Sequence, residues 1–187
     1  VKRYLDHDGG NSNMDRQSII LGGGCFWCIE AAYRRLDGVL TAESGYAGGT
    51  VVDPTYQAVC TGSTGHAEVV RVAFDADVLP LEEVLDFFWR AHDPTTLNRQ
   101  GADVGSQYRS IIVCEDDDQK AIAEGSRDAA QPRFADPIVT EISGPVPFYP
   151  AEGYHADYYE NNPTQGYCRM VIQPKLRKLG FDVAPLG

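Results

Sequence analysis

No run in this 187-residue chain approaches the ~20 consecutive apolar residues that a helix needs to cross a bilayer. Positive charge is scarce too: 16 lysines and arginines against 27 aspartates and glutamates leave a net charge of −11, with no lysine- or arginine-rich run. The electrostatic footprint for nucleic acid or an anionic membrane surface is therefore missing. The polar start, Asp6-His7-Asp8-Gly9-Gly10-Asn11-Ser12-Asn13, lacks the apolar core of a signal peptide. A soluble cytoplasmic protein is expected, with no nucleic acid and no membrane among its partners. Repeats, low-complexity blocks and Pro- or Gly-rich linkers are also lacking. Residues 1–17 read as a disordered arm or appended tail, with Met14 a candidate native start, and residues 18–187 as a single domain. Nothing suggests an obligate assembly, so a monomer is expected.

Several chemistries are excluded by missing motifs. Gly22-Gly23-Gly24 has neither the third glycine of a dinucleotide turn nor a following Gly-Lys-Ser/Thr. There is no Gly-x-Ser-x-Gly and no His-Glu-x-x-His. Cys25-x-x-Cys28 has no second Cys-x-x-Cys to complete a zinc site, and His66 and His155 stand alone. No metal and no bound cofactor are expected.

Against these absences stand five cysteines, at 25, 28, 60, 114 and 168, an odd number in a chain too large to need staples. Free or redox-active thiols in a reducing compartment fit best. Ile19-Ile20-Leu21, the glycine turn and Cys25-Phe26-Trp27-Cys28 read as strand, turn and a helix whose first residue is a thiol. Unpaired amides and the macrodipole at a helix N-terminus favour thiolate, so Cys25 is expected to have a lowered pKa. Phe26, Ile29, Tyr33 and Leu36 form the apolar stripe of that helix, with Glu30, Arg34 and Arg35 off it and Gly38 as its end.

Further helices are expected through Leu81, Val84, Leu85 and Phe88, over residues 116–130, and around Tyr154, His155 and Tyr158. Strands are expected at Leu40–Tyr46, Glu68–Phe74, Arg109–Cys114 and Ile138–Ile142. This interleaving, with long loops, reads as α+β: a mixed sheet flanked by helices.

In Gly65-His66-Ala67-Glu68-Val69-Val70, period-two alternation puts Glu68 on the face of Val70, Val72 and Phe74. A carboxyl heading an apolar face is desolvated and its pKa raised toward the range of a general acid. On its own the segment reads equally as a strand end in solvent. Asn98 to Ser110 is a polar, glycine-punctuated loop feeding a strand, where Asp103 and Tyr108 can position a polar atom or serve an ordinary turn.

Four motifs carry a resemblance: Gly24-Cys25-Phe26-Trp27-Cys28-x-Glu30; Gly65-His66-Ala67-Glu68; Gly101-x-Asp103-x-Gly105-x-Gln107-Tyr108-Arg109-Ser110; and Ala151-Glu152-x-Tyr154-His155, with Asn162-Pro163 beyond. In order and content the chain resembles the type A peptide methionine sulfoxide reductases, whose reaction is one rung of methionine redox chemistry. The resemblance implies a ferredoxin-like core and a catalytic domain in which Cys25 attacks the sulfoxide sulfur of the S epimer. An acid, Glu68, protonates the departing oxygen with Tyr56 and Tyr108 as flanking donors, and a cysteine sulfenic acid is left behind.

Phe26 and Trp27 would hold the S-methyl group, Phe26 having core packing as its alternative, and Asp103 would help orient the site. Cys168, in Gln165-Gly166-Tyr167-Cys168, matches the resolving cysteine of many relatives and would swing in on a mobile segment; Cys28 is the rival, with small packed residue as its alternative reading. Arg169-Met170-Val171-Ile172 lacks the glycine-rich tail and further cysteine of some members. Cys60 and Cys114 read as structural. Thioredoxin or another dithiol would return the electrons. The competing readings are a thioredoxin-like dithiol oxidoreductase using Cys25-x-x-Cys28, and a noncatalytic redox-responsive module.

Overall fold

A computed structural model describes residues 14–183. The chain runs β1 (Arg16–Gly23), α1 (Phe26–Tyr33), β2 (Val39–Ala47), α2 (Tyr56–Cys60), β3 (Ala67–Asp75), α3 (Leu81–Ala91), β4 (Arg99–Gln100), β5 (Asp103–Val104), β6 (Ser110–Val113), α4 (Asp117–Ala130), β7 (Glu141–Ser143), β8 (Phe148–Pro150) and α5 (Tyr158–Asn161). A π-helical turn (Cys168–Ile172) then leads into α6 (Gln173–Lys178).

Six strands form one sheet in the order β7-β6-β1-β3-β2-β8. The inner four, β6-β1-β3-β2, are all antiparallel, and with α1 and α3 as crossovers they make the expected ferredoxin-like core. The edge pair β6·β7 is parallel, so the sheet is mixed. Alternation on the central strands sends Ile19, Leu21, Val70, Val72 and Phe74 into one apolar core with α1 and α3. Such burial supplies about 25 cal/mol per Å² of apolar surface, the main force holding helices to sheet. No helix among the described residues is long and apolar enough to cross a membrane.

The elements read from sequence differ from the observed ones where backbone donors find other partners. The expected N-terminal arm stops short, because Arg16 and Gln17 already pair with Asp75 and Phe74 in β1; residues 1–13 lie outside the described residues. Of the fourth expected strand only Glu141 and Ile142 pair with β6, as part of β7, since the amides of Ile138 and Val139 go instead to Gln131 Oε1 and Pro94 O at 2.9 Å each. The helix expected around Tyr154–Tyr158 is split: a 3₁₀ turn, Gly153–His155, then α5, with Asp157 at φ 52° between them. Helix α4 starts as expected, Asp116 accepting the Gln119 amide at 2.7 Å. The short α2 was not legible; its cap is Thr55, whose hydroxyl accepts the Ala58 amide at 3.2 Å.

Two glycines shape the turn after β1. A Cβ on Gly22 would lie 2.7 Å from Ile111 and 2.9 Å from the carbonyl of Glu68, so this glycine lets β3 and β6 close on β1 beside the site. Gly24 takes φ +93°, and a Cβ there would meet the Gln100 side chain at 2.6 Å. That turn releases the chain into α1 with Cys25 as the helix N-cap residue.

Candidate active site

Register brings the expected residues together from separate parts of the chain. Gly23 pairs with Ser110, Leu21 with Val70, and Tyr46 with Glu68, so the glycine turn, the head of β3 and the loop before β6 meet at one end of the sheet. Cys25 is 8% exposed and Glu68 1%. The Phe26 amide donates to Glu68 Oε2 at 3.0 Å, tying the acid to the first turn of α1. Burial pushes the Glu68 carboxyl up to about 8 against that single hydrogen bond, with Asp103 and Cys28 pushing the same way. At neutral pH Glu68 therefore carries a proton, as the alternation on β3 leads one to expect.

The Cys25 thiol departs from expectation. Burial pushes it well above the ordinary thiol range, and the Cys28 sulfur and Glu68 add to this, while a hydrogen bond with the Tyr167 hydroxyl opposes. The helix N-terminus does not win because its amides are spent: Phe26 N–H goes to Glu68, and Cys28 N–H goes to the Cys25 carbonyl at 3.1 Å. Cys28 is lowered to about 7, chiefly because the Cys25 thiol donates to it, with Lys175 adding positive charge. The resting pair thus keeps its proton on Cys25.

Around this pair the phenols of Tyr56 and Tyr108 are both raised, by burial first and then by Glu68, which keeps them as donors. Tyr56 stacks on Phe26 with ring centroids 6.4 Å apart and planes 15° apart. Phe26 is buried in the core, as the packing reading of it expects. Trp27 is partly buried and lies flat on Tyr158, centroids 3.7 Å apart. Its indole N–H donates to His155 Nδ1 at 3.1 Å. A small cavity of about 160 Å³ opens between Cys25, Cys28, Asp103, Tyr167 and Lys175.

Sequence reasoning missed three residues. Tyr167 donates its hydroxyl to Asp103 Oδ2 at 2.8 Å and also reaches Cys25, so it links loop, thiol and C-terminal segment. Its signal was adjacent to Cys168 and read only for the cysteine. Glu152 accepts the Tyr56 amide at 3.2 Å and the hydroxyls of Tyr154 at 3.1 Å and Tyr46 at 3.4 Å. His155, wholly buried, connects Trp27 to Glu152, its Nε2 3.4 Å from Oε2. Both sit in a motif that the resemblance quoted without assigning a role. Glu30, expected on the outer face of α1, is buried, because residues 157–158 pack over that face and the Asp157 amide donates to it at 3.3 Å.

Cys168 also differs from expectation. It opens the π-helical turn and is fully buried in the core instead of riding a loop, and its thiol feels Cys28. Cys114 is buried at the end of β6, while Cys60 is exposed and touches the Tyr56 hydroxyl. Among the described residues no group of three or more His, Cys, Asp or Glu side chains is placed to hold a metal ion.

A buried thiol against a second thiol, a protonated carboxyl and two phenols is an arrangement for taking oxygen from a soft centre. The sequence profile of the family described as peptide methionine sulfoxide reductase matches residues 17–183. The chain belongs to the peptide methionine sulfoxide reductase family. It is 58% identical over 159 residues to peptide methionine sulfoxide reductase MsrA of Natronomonas pharaonis, covering 83% of this chain and 89% of the relative. Methionine sulfoxide reductase A of Corynebacterium diphtheriae has a similar structure, with a TM-score of 0.78, 35% identity, and coverage of 83% of this chain and 78% of that one. Mxr1 of Saccharomyces cerevisiae, solved in complex with Trx2, matches with a TM-score of 0.56 and 26% identity over 81% of this chain and 90% of that one. As a reductase of this family the chain is an oxidoreductase, and the dithiol-exchange and noncatalytic readings of Cys25-x-x-Cys28 fall away.

Proposed function

We propose that the protein reduces the S epimer of methionine sulfoxide, free or in polypeptides, with Cys25 as nucleophile and Glu68 as acid. The observation that carries this is the protonated Glu68 carboxyl held on the first turn of the helix that Cys25 caps. As the sulfoxide enters, Cys25 gives up its proton and its sulfur attacks the sulfoxide sulfur, while Glu68 protonates the oxygen as the S–O bond breaks. The oxygen passes to Cys25 as a sulfenic acid, methionine leaves, and the thiol proton restores Glu68, so atoms and charge balance. Tyr56 and Tyr108 donate to the oxygen as its negative charge grows. Phe26 and Trp27 form the wall for the S-methyl group, and Asp103, held by Tyr167, orients the polar part of the substrate.

For the resolving sulfur, contact with Cys25 and a pKa near 7 favour Cys28 over Cys168. Its thiolate attacks Cys25–SOH, the departing hydroxide takes a proton from solvent and leaves as water, and a Cys25–Cys28 disulfide forms. Thioredoxin, the partner seen with the yeast relative, or another dithiol would then reduce that disulfide. A cytoplasmic setting with repair of oxidised proteins as the task accords with five free cysteines.

The test is turnover of the separate S and R epimers with dithiothreitol. Loss of the S epimer alone is expected, and Cys25→Ser is expected to abolish it; full activity in that variant would overturn the mechanism. Mass spectrometry after one turnover without reductant should find Cys25 linked to Cys28, whereas a link to Cys168 would return that role to Cys168.

A further inference from the structure

A cavity of about 660 Å³ is not used by the reaction above. It lies beside the thiol cavity, with Gln100 and Lys175 lining both. Trp89 and Phe134 line it together with Arg90, Arg133, Lys175 and Lys178. This is unusual in a chain of net charge −11. The C-terminal wall comes from residues 161–181, which contain Arg169, Lys175, Arg177 and Lys178 and no aspartate or glutamate.

The acids nearby engage the arginines and only in part the lysines, the Lys178 charge being felt at Asp93. Asp86 is gripped by both Arg90 at 3.2 Å and Arg133 at 2.6 Å. Asp93 turns into its own loop, accepting the Thr95 amide at 2.9 Å and hydroxyl at 2.6 Å. Asp136 lines the cleft as well. Lys175 and Lys178, one turn apart on α6, have no ion pair among the described residues. Two ammonium groups without an ion pair, in a cleft also lined by Trp89 and Phe134, suit a carboxylate on a short apolar stem.

We infer that this cleft is a subsite for an acidic residue, Asp or Glu, flanking the methionine sulfoxide in a polypeptide substrate. The inference rests on the reductase reading and adds a sequence preference to it. A concave cleft beside the thiol cavity fits an extended chain better than the convex surface of a folded reductant.

The test compares kcat/KM, with dithiothreitol as reductant, for N-acetylmethionine S-sulfoxide and for short peptides in which the sulfoxide is flanked by Glu, Gln or Lys. At low ionic strength Glu peptides are expected to exceed Lys peptides by about fivefold, as partly exposed ion pairs allow, and mainly through KM. Salt raised from about 0.01 M to about 1 M, which shortens the screening length from roughly 30 to 3 Å, should remove most of the preference. Lys178→Glu, at an exposed position, should erase or reverse the order, and Lys178→Gln should halve the preference. Equal kcat/KM for the three peptides, or a preference untouched by both variants and salt, would overturn the subsite. So would unchanged peptide preference in Lys178→Glu with a raised KM for thioredoxin, which would make the cleft a reductant surface. Absence of turnover even for N-acetylmethionine S-sulfoxide in the unaltered protein would instead defeat the reductase reading itself.

Discussion

Two carboxyl groups flank the aromatic cluster of Phe26, Tyr46 and Tyr56, and their surroundings differ in the quantity that matters for proton transfer. Glu68 is 1% exposed and receives one hydrogen bond, from the Phe26 amide. Glu152 has a side chain 34% exposed and gathers an amide, two phenol hydroxyls and a histidine edge. Desolvation without compensation keeps a carboxyl protonated, whereas many donors satisfy a carboxylate and make it an anchor. One sequence thus surrounds one carboxyl with apolar matter and the other with donors.

The sharpest way to break that contrast is Glu68→Gln, which keeps the Phe26 hydrogen bond but removes the transferable proton. A fall in kcat/KM of roughly 10²- to 10⁴-fold is expected, the usual worth of a general acid. The fold should not suffer. The folded pKa of Glu68 is raised from the 4.5 of a free carboxyl to about 8, so the native state prefers the protonated form. Ionisation of the unfolded chain therefore erodes stability as pH rises through that window. The Gln variant escapes this, so its Tm should exceed that of the unaltered protein increasingly between those pH values; a lower Tm at high pH would contradict the assignment.

In the unaltered protein the chemical step should slow as pH passes about 8, approaching tenfold per unit as the acid is lost. Stopped-flow single turnovers can read this. Glu152→Gln should have a smaller effect, about tenfold in kcat/KM and mostly in KM, because it loosens Tyr56, Tyr46 and His155 without touching the transferred proton. An effect as large as that of Glu68→Gln, carried by kcat, would erase the distinction. Smallest of all, Trp27→Phe keeps the ring but loses the 3.1 Å bond to His155, and should cost about 1 kcal/mol of stability by thermal unfolding.

How much of this was readable from sequence follows from the range of each interaction. The β1 turn, the β3 alternation and the α3 stripe are local patterns, and they placed Cys25, Glu68 and the core face correctly. The protonation of Cys25 was not readable, because it depends on where two amides go, one of them to a residue 42 positions away. The placement of Cys168 was not readable for a related reason: Pro163 and Gly166 signal a break, but residues 168–178 continue as π- and α-helix docked on the core, which only tertiary burial decides. Tyr167, Glu152 and His155 act through partners 64 to 128 residues distant, and no periodicity reports such pairings. The basic cleft was hidden by an acidic composition, since Arg90, Arg133 and the α6 lysines meet only in the fold.

The central claim, that Cys25 takes the oxygen while Glu68 supplies the proton, is tested most directly by single-turnover trapping in a Cys28→Ser, Cys168→Ser background. One methionine per protein should appear together with one sulfenic acid trapped on Cys25, at a rate that falls as pH rises above about 8, and adding Glu68→Gln should abolish that fall along with most of the rate. A sulfenic acid on another cysteine, or the same pH dependence surviving in Glu68→Gln, would contradict it.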